Sequence, residues 1–201
     1  METKIGILSL PTELILDISQ YLNYPSIVAL RLSCRHLNIT IAQPAKYTMA
    51  DLLEIEQWPA YHHVKYRDGG TKQPYAEVDY FACYICLKIK QAINFSNAMM
   101  RGKKGKLSDV LAPDRHGRFC IPCGISTGSY IRGSSFYYGG YGVRQGMVCV
   151  DCGLFKDKPW NANANVRRCE ECLARYQARL TMPRFNPRFF GRAAGSWRTW
   201  R

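Results

Sequence analysis

The sequence predicts an α+β fold in which three N-terminal helices precede a small, irregular, metal-stabilised region with knuckles, short hairpins and one helix. Residues 10 to 41 contain helix-start residues and apolar residues at helical spacing. Eight of the nine cysteines form four Cys-x-x-Cys pairs after residue 80. The glycine- and tyrosine-rich residues 127 to 146, which lead to the third pair, are typical of turns and short strands.

Charge divides the chain where the cysteines do. Residues 1 to 60 have a net charge of −2, whereas residues 61 to 201 have a net charge of +15. Proline, glycine and histidine residues interrupt any periodic pattern near the boundary. We therefore predict a helical domain over residues 1–50, a linker over residues 51–78, a zinc-binding cysteine region over residues 79–181 and a basic aromatic tail over residues 182–201.

The first helix is predicted to begin at Leu10-Pro11-Thr12-Glu13. Proline is tolerated in a first turn because that turn needs no amide hydrogen, and an acidic residue is favourable at the positive end of a helix. Leu14, Ile18 and Leu22 then repeat at four-residue spacing. These signals indicate a helix with at least one apolar stripe.

Two further helices are predicted to follow. Asn23 can cap the second helix, which has Pro25 in its first turn, and a short third helix is expected near Arg35 to Ile41. The helices have more apolar surface than one stripe, and a unit of about 40 residues rarely closes a core alone. The surplus should be covered by the cysteine region, by another protein or by both; an ordinary intramolecular core is the alternative.

The order of residues across this segment follows a known pattern. It is made by Leu8-Ser9-Leu10-Pro11-Thr12-Glu13-Leu14-Ile15, Ile18, Tyr21-Leu22-Asn23, Ile27, Leu30-Arg31-Leu32-Ser33-Cys34-Arg35 and Leu37. With these residues the segment 7 to 45 resembles an F-box. It departs from the family at Asn23-Tyr24-Pro25, where the family often has Asp-Pro.

The resemblance implies a function and a set of contact residues. The F-box family binds the Skp adaptor of cullin-based ubiquitin ligases, and the rest of an F-box protein usually recruits the client. Leu10 and Pro11 match the Leu-Pro element that contacts the adaptor. Apolar positions of the family are matched by Ile18, Leu22, Ile27 and Leu30. The combination with cysteine pairs resembles F-box proteins of fungi, which implies a non-catalytic subunit with an unknown client.

The cysteines are expected to be reduced. No apolar run approaches the ~18 residues that span a bilayer, and the N-terminus does not resemble a secretory signal, so we expect a cytoplasmic or nuclear protein and no membrane partner. In such a compartment, spaced cysteines more often bind metal than form disulfides. Four pairs also exceed the roughly 0.4 expected by chance.

Two such pairs can complete a tetrahedral zinc site. The sequential assignment gives two structural zinc ions, one held by Cys83, Cys86, Cys120 and Cys123 and one by Cys149, Cys152, Cys169 and Cys172. A cross-brace between alternate pairs remains open. Full coordination leaves no position for substrate, so the metals would stabilise the fold. Cys34 lies outside both sets.

Local sequence predicts how the pairs are built. Glycine follows the pairs that end at Cys123 and Cys152, so knuckles with positive φ are expected at Gly124 and Gly153. The pair that ends at Cys172 should begin a helix. That helix would have Leu173, Tyr176 and Leu180 on one apolar face.

The basic charge has more than one interpretation. Residues near the cysteine pairs would compensate thiolate charge: Lys88, Lys90, Arg118, Arg167 and Arg168. Other basic or aromatic residues are candidates for contact with a client or with nucleic acid: Arg101, Lys103, Lys104, Arg184, Arg188 and Trp197. A tail that folds back onto the cysteine region is the third possibility.

The sequence shows no recognisable active site. Two rivals to the F-box interpretation stay open: a zinc-dependent nucleic-acid-binding protein, and a RING-type ligase. The RING interpretation is the weaker, because that pattern places its middle ligand pairs almost together, whereas 25 residues separate Cys123 from Cys149.

Overall fold

The computed structural model describes residues 6–61, 74, 76–106, 108, 113–142, 144–158 and 167–181. The predicted α+β class is confirmed: helices form the N-terminal part, and two small sheets with further helices follow. No helix in this described part is long and apolar enough to cross a membrane.

The N-terminal part contains the three predicted helices. After a 3-10 turn at Ile7–Ser9, these are α1 at Thr12–Gln20, α2 at Tyr24–Ser33 and α3 at Arg35–Thr40. Pro11 is the N-cap residue of α1. Asn23 caps α2 as predicted, because its side-chain oxygen accepts a hydrogen bond from the Ser26 amide at 3.0 Å. The small shared core consists of Ile15, Leu37 and Ile41.

A fourth helix, α4 at Met49–Ile55, lies across the start of the segment predicted to be a linker. Thr48 and Asp51 cap each other's backbone amides in a capping box. The buried Leu52 and Leu53 pack against Ala82 in the cysteine region. Residues 49–55 are therefore a packed structural element; the predicted domain boundaries stay a prediction.

The first half of the cysteine region is built on an antiparallel hairpin of β1 at Tyr80–Cys83 and β2 at Lys88–Gln91. The elements that follow are a 3-10 turn at Ala92–Asn94, α5 at Asn97–Met100, a 3-10 turn at Gly102–Lys104, α6 at Pro113–His116 and α7 at Ile121–Ser126. Phe81, Phe95 and Met100 form the buried centre of this half.

The second half is a three-stranded antiparallel sheet followed by a longer helix. Its strands are β3 at Ser135–Tyr138, β4 at Arg144–Val148 and β5 at Phe155–Asp157, in the order β3-β4-β5. Helix α8 at Glu170–Thr181 is the one helix that the sequence predicts for the cysteine region. The short helices α5 to α7 in the first half were not predicted.

A series of aromatic rings joins the two halves. Ring centroids lie 5.4 Å apart between Phe119 and Tyr130, 4.4 Å between Tyr130 and Phe136, and 5.5 Å between Phe136 and Phe155. A Cβ atom at Gly146 would lie 2.2 Å from the Phe155 ring, so only glycine fits there. The aromatic series packs the first half against the sheet that precedes Cys149.

Candidate metal centres and the exposed N-terminal face

The structure brings the eight paired cysteines into two groups. Cys83, Cys86, Cys120 and Cys123 form one group, and Cys149, Cys152, Cys169 and Cys172 form the other. The sulfur atoms of each group lie within 4.8 Å of one another. Zn–S bonds of about 2.3 Å in a tetrahedron place sulfurs about 3.8 Å apart, so each group fits a closed metal site. The structure has the sequential grouping, not the cross-brace.

The first group combines a hairpin turn with a helix start. Cys83 ends β1 and Cys86 lies in the turn to β2, where Leu87 has a φ of 47°. Cys120 and Cys123 lie at the start of α7. Two backbone amides join the parts: Tyr84 N donates to Arg118 O at 2.9 Å, and Cys120 N donates to the Cys83 Sγ at 3.3 Å.

The second group repeats this construction. Cys149 and Cys152 lie in the connection between β4 and β5, and Cys169 and Cys172 lie at the start of α8. The equivalent amides make equivalent bonds: Val150 N donates to Arg167 O at 3.0 Å, and Cys169 N donates to the Cys149 Sγ at 3.4 Å. Both candidate centres are thus one local structure used twice.

The two predicted glycine knuckles differ in outcome. Gly153 has a φ of 72°, so the knuckle after Cys152 is confirmed. The prediction for Gly124 is wrong, because this residue lies inside α7. A Cβ atom there would lie 2.5 Å from the Tyr130 ring and 2.7 Å from the Phe119 ring. Glycine is needed at this position for close packing of two rings, a requirement that the cysteine spacing does not reveal.

Hydrogen bonds favour the thiolate form of one cysteine in each group and the neutral thiol of another: the pKa of Cys120 is raised chiefly by its hydrogen bond to Cys83, and that of Cys172 chiefly by its hydrogen bond to Cys169. The pKa of Cys83 is lowered, chiefly by a hydrogen bond from the Cys120 thiol and further by nearby backbone amides. Burial disfavours the Cys149 thiolate, but three backbone amides outweigh it and lower the pKa of that thiol to about 6. Because metals bind thiolates, the contacts to Cys83 and Cys149 favour metal binding at one ligand of each group.

In the part of the chain that the structure describes, two basic side chains contact cysteine sulfurs, and one of them is among the residues predicted to compensate thiolate charge. Lys90 Nζ lies 3.4 Å from the Cys120 Sγ, and Arg175 donates to the Cys172 Sγ at 3.6 Å. Burial favours the neutral form of Lys90, yet its pKa is raised because the neighbouring thiolates favour the ammonium. Lys90 is therefore placed as predicted, and Arg175 is an addition that the sequence reasoning missed.

Arg118 has a different role from the one predicted. Its guanidinium is completely buried and forms an ion pair with Glu56 instead of facing the sulfurs. It also donates to the carbonyl oxygens of Ala82 at 3.1 Å and Lys104 at 2.9 Å. Arg115 pairs with the other Glu56 oxygen at 3.2 Å.

Glu56 therefore connects α4 to the first candidate centre. Besides the two guanidiniums, its carboxylate accepts a hydrogen bond from the Ala82 amide at 2.7 Å, one residue before Cys83. A buried carboxylate requires such partners, because an unpaired buried charge is costly. The Thr48–Asp51 capping signal could have predicted α4, but no sequence signal identified its ion-pair partners.

Of the six residues predicted to contact an adaptor, two are exposed and four are half-buried. Pro11 and Ile18 are exposed, whereas Leu22 is half-buried. The other three are half-buried and pack against the small N-terminal core: Leu10, Ile27 and Leu30. These roles stay predictions.

The N-terminal helices nevertheless expose a set of large apolar side chains to solvent. Leu14, Ile18 and Tyr21 are 48%, 40% and 89% exposed, and their spacing places them on one face of α1. Leu32 on α2 and Ile39 on α3 are 68% and 74% exposed. The apolar surplus in the sequence predicted such a surface, although of these side chains only Ile18 was predicted to contact the adaptor.

The candidate client or nucleic-acid contacts are only partly described. Arg101 and Lys103 are exposed, and Lys104 is half-buried with its ammonium 6.0 Å from the centroid of the Phe119 ring. Arg184, Arg188 and Trp197 lie outside the described residues, as does the rest of the predicted tail.

Comparison with protein families matches residues 7–48 to the F-box domain. This confirms the resemblance seen in the sequence, and the two cysteine groups fit the expected metal-binding region after it. No curated protein and no solved structure matches the chain. F-box domains in general belong to non-catalytic, substrate-adaptor subunits of ubiquitin ligases.

Proposed function

We propose that this chain, which contains an F-box domain at residues 7–48, is a non-catalytic subunit of a cullin-based ubiquitin ligase. Helices α1 to α3 dock on a Skp adaptor and through it on a cullin, and the cysteine region recruits a client protein. We place this activity in the cytoplasm, the nucleus or both. The observation that supports it most is the exposed apolar face of α1 to α3.

Exposure of that apolar face to water is unfavourable in free energy. Leu14, Ile18 and Tyr21 lie together on α1 with 40% or more of each residue exposed. Burying a large apolar side chain completely contributes roughly 1.5–3 kcal/mol, so a few of them can supply a large share of the energy of a stable complex. Monomeric domains rarely expose such a surface without a binding partner.

The half-buried Leu10, Ile27 and Leu30 have a second role in this proposal. They pack against Ile15, Leu37 and Ile41, so they help to hold the three helices together. Substitution of these residues would therefore affect the domain as well as docking, whereas Pro11 and Ile18 can be changed with less effect on its core.

We further propose that each cysteine group holds one structural zinc ion. Four sulfurs in a closed tetrahedral arrangement match zinc, and the bound metal would supply folding energy on the order of 10 kcal/mol rather than catalysis. The second hairpin-and-helix unit has little apolar core besides the sulfurs, because Met147 is the one other buried residue of its cluster. Elemental analysis should find two zinc ions per chain.

Contacts between the two parts would fix the client relative to the ligase. Tyr24 of α2 stacks on Tyr47 with ring centroids 4.8 Å apart, and the Tyr47 hydroxyl donates to Leu87 O at 3.0 Å in the first hairpin turn. The Glu56 ion pairs add a second connection. A client bound to the cysteine region would thus be held at a defined position.

Co-expression with a Skp adaptor tests this function. The wild-type chain should co-purify with the adaptor, and the double substitution Pro11→Ala/Ile18→Ala, which keeps the half-buried Leu10 in the core, should abolish co-purification. Ile131→Ala is the matched control, because Ile131 is 67% exposed but lies in the cysteine region. An unchanged complex for the double variant would refute the docking surface.

Nucleic-acid binding by the zinc-stabilised region is the alternative proposal. It is favoured by the net charge of +15 over residues 61 to 201 and by the exposed Arg101 and Lys103. Oligonucleotide affinity that falls steeply with salt, together with no adaptor complex, would favour it over the ligase function.

A further inference from the structure

Helix α8 is attached to the rest of the described chain almost entirely through its first turn. Cys172 is its one buried residue, and Leu173 is half-buried. From Ala174 to Thr181 every residue is exposed, including Leu180 at 68%. The second candidate metal centre therefore presents a helix whose outer two turns are accessible on all sides within the described structure.

A cleft of about 230 Å³ lies at the base of this helix. Its lining residues are Asp151, Cys152, Cys172, Arg175, Tyr176 and Arg179. Arg175 and Arg179 are one helical turn apart, so their guanidiniums can reach the same side of the cleft.

The acidic residue in the cleft is already neutralised. Arg168 Nε donates to Asp151 Oδ2 at 2.8 Å, and the Arg168 guanidinium lies over the Tyr176 ring at 4.4 Å. Arg175 donates to Glu171 O at 3.3 Å and to the Cys172 sulfur at 3.6 Å, which uses its Nε and one terminal nitrogen. Among the described residues, no ion pair involves Arg175 or Arg179.

We propose that this cleft binds an acidic side chain of the client protein, with Arg175 and Arg179 as its cationic contacts. The proposal rests on the client-recruiting function proposed above. A guanidinium donates two parallel hydrogen bonds to a carboxylate, which favours Asp or Glu as the bound group.

Two features favour a protein segment over nucleic acid. The cleft has the volume of one or two side chains and does not form a continuous track for a phosphate backbone. One face of the Tyr176 ring is covered by Arg168, so that face cannot stack on a base.

Fluorescence anisotropy with the full zinc-loaded chain tests the proposal. The probe is a short fluorescein-labelled peptide of Asp, Glu and Leu; its comparators are the same peptide with Asn and Gln, and a single-stranded oligonucleotide. The variant Arg175→Gln/Arg179→Gln should raise the peptide Kd at least about tenfold, because it removes two charged donors. The control Lys88→Gln/Arg144→Gln removes the same charge from exposed positions elsewhere and should leave the Kd nearly unchanged.

Circular dichroism should be the same in both variants, because all four positions are exposed. Zinc content is measured as well, because Arg175 donates to the Cys172 sulfur, and Arg179→Gln alone should still weaken peptide binding if that content falls. Equal weakening by both variants, equal binding of the neutral peptide, or tighter oligonucleotide binding that the α8 variant abolishes would each overturn the proposal. The measurement needs no adaptor, so its failure would leave adaptor docking untouched, and a failed adaptor pull-down would leave this result standing.

Discussion

Replacing Glu56 by Gln is expected to destabilise the protein by about 3–5 kcal/mol, because it removes the carboxylate with which both buried guanidiniums pair. The Glu56, Arg115 and Arg118 side chains all have no solvent exposure. Each of the two carboxylate oxygens of Glu56 accepts a hydrogen bond from an arginine. In glutamine one of these oxygens is replaced by an NH₂ group, which would face an arginine N–H donor. The expected loss is a large fraction of the 5–15 kcal/mol that keeps an ordinary domain folded.

Urea unfolding of the zinc-loaded protein, followed by far-ultraviolet circular dichroism, measures this loss. Glu171→Gln is the control, since Glu171 also forms an ion pair, with Lys156 at 3.4 Å, but the two side chains are 69% and 40% exposed. An exposed pair contributes less than about 1 kcal/mol. A loss below 1 kcal/mol for Glu56→Gln as well would show that the buried ion pairs do not hold α4 on the cysteine region.

Two further predictions concern the cysteine region. Gly124→Ala should lower the free energy of unfolding by about 1–3 kcal/mol in the same assay, because its Cβ would lie 2.5 Å from the Tyr130 ring. The control Gly117→Ala should lower it little, because the nearest atom to its Cβ lies at 3.7 Å. Similar losses for both variants would contradict the packing argument. Cys172→Ser should lower the zinc content measured by elemental analysis from two ions to one per chain, and the control Cys34→Ser should leave it at two. Two ions in the Cys172 variant would exclude this residue as a ligand.

Local signals in the sequence predicted a large part of the fold. The cap at Asn23 and the helix start after Pro11 act within one turn, so they could be read without knowledge of the rest of the chain. The four cysteine pairs followed from spacing for a similar reason, because two-residue gaps are closed by a single turn, whereas the choice between sequential and cross-brace grouping required the structure.

Contacts between distant residues could not be predicted in this way. Glu56 and Arg118 are 62 positions apart, and nothing near either residue indicates that the pair would be buried together. Gly124 follows a cysteine as a knuckle glycine would, but the Tyr130 ring decides its role. The apolar surplus of the N-terminal helices was predictable, whereas the packing of the helices decides that Tyr21 is exposed and Leu10 half-buried.

The central claim is that the exposed apolar face of the F-box domain is covered by a Skp adaptor while the cysteine region stays available to a client. Hydrogen exchange of the purified chain, alone and with the adaptor, tests it most directly. Peptides from Ile7 to Ile41 should become protected on complex formation, and peptides from α8 should exchange unchanged. Protection confined to the cysteine region, or none in α1 to α3, would contradict the account.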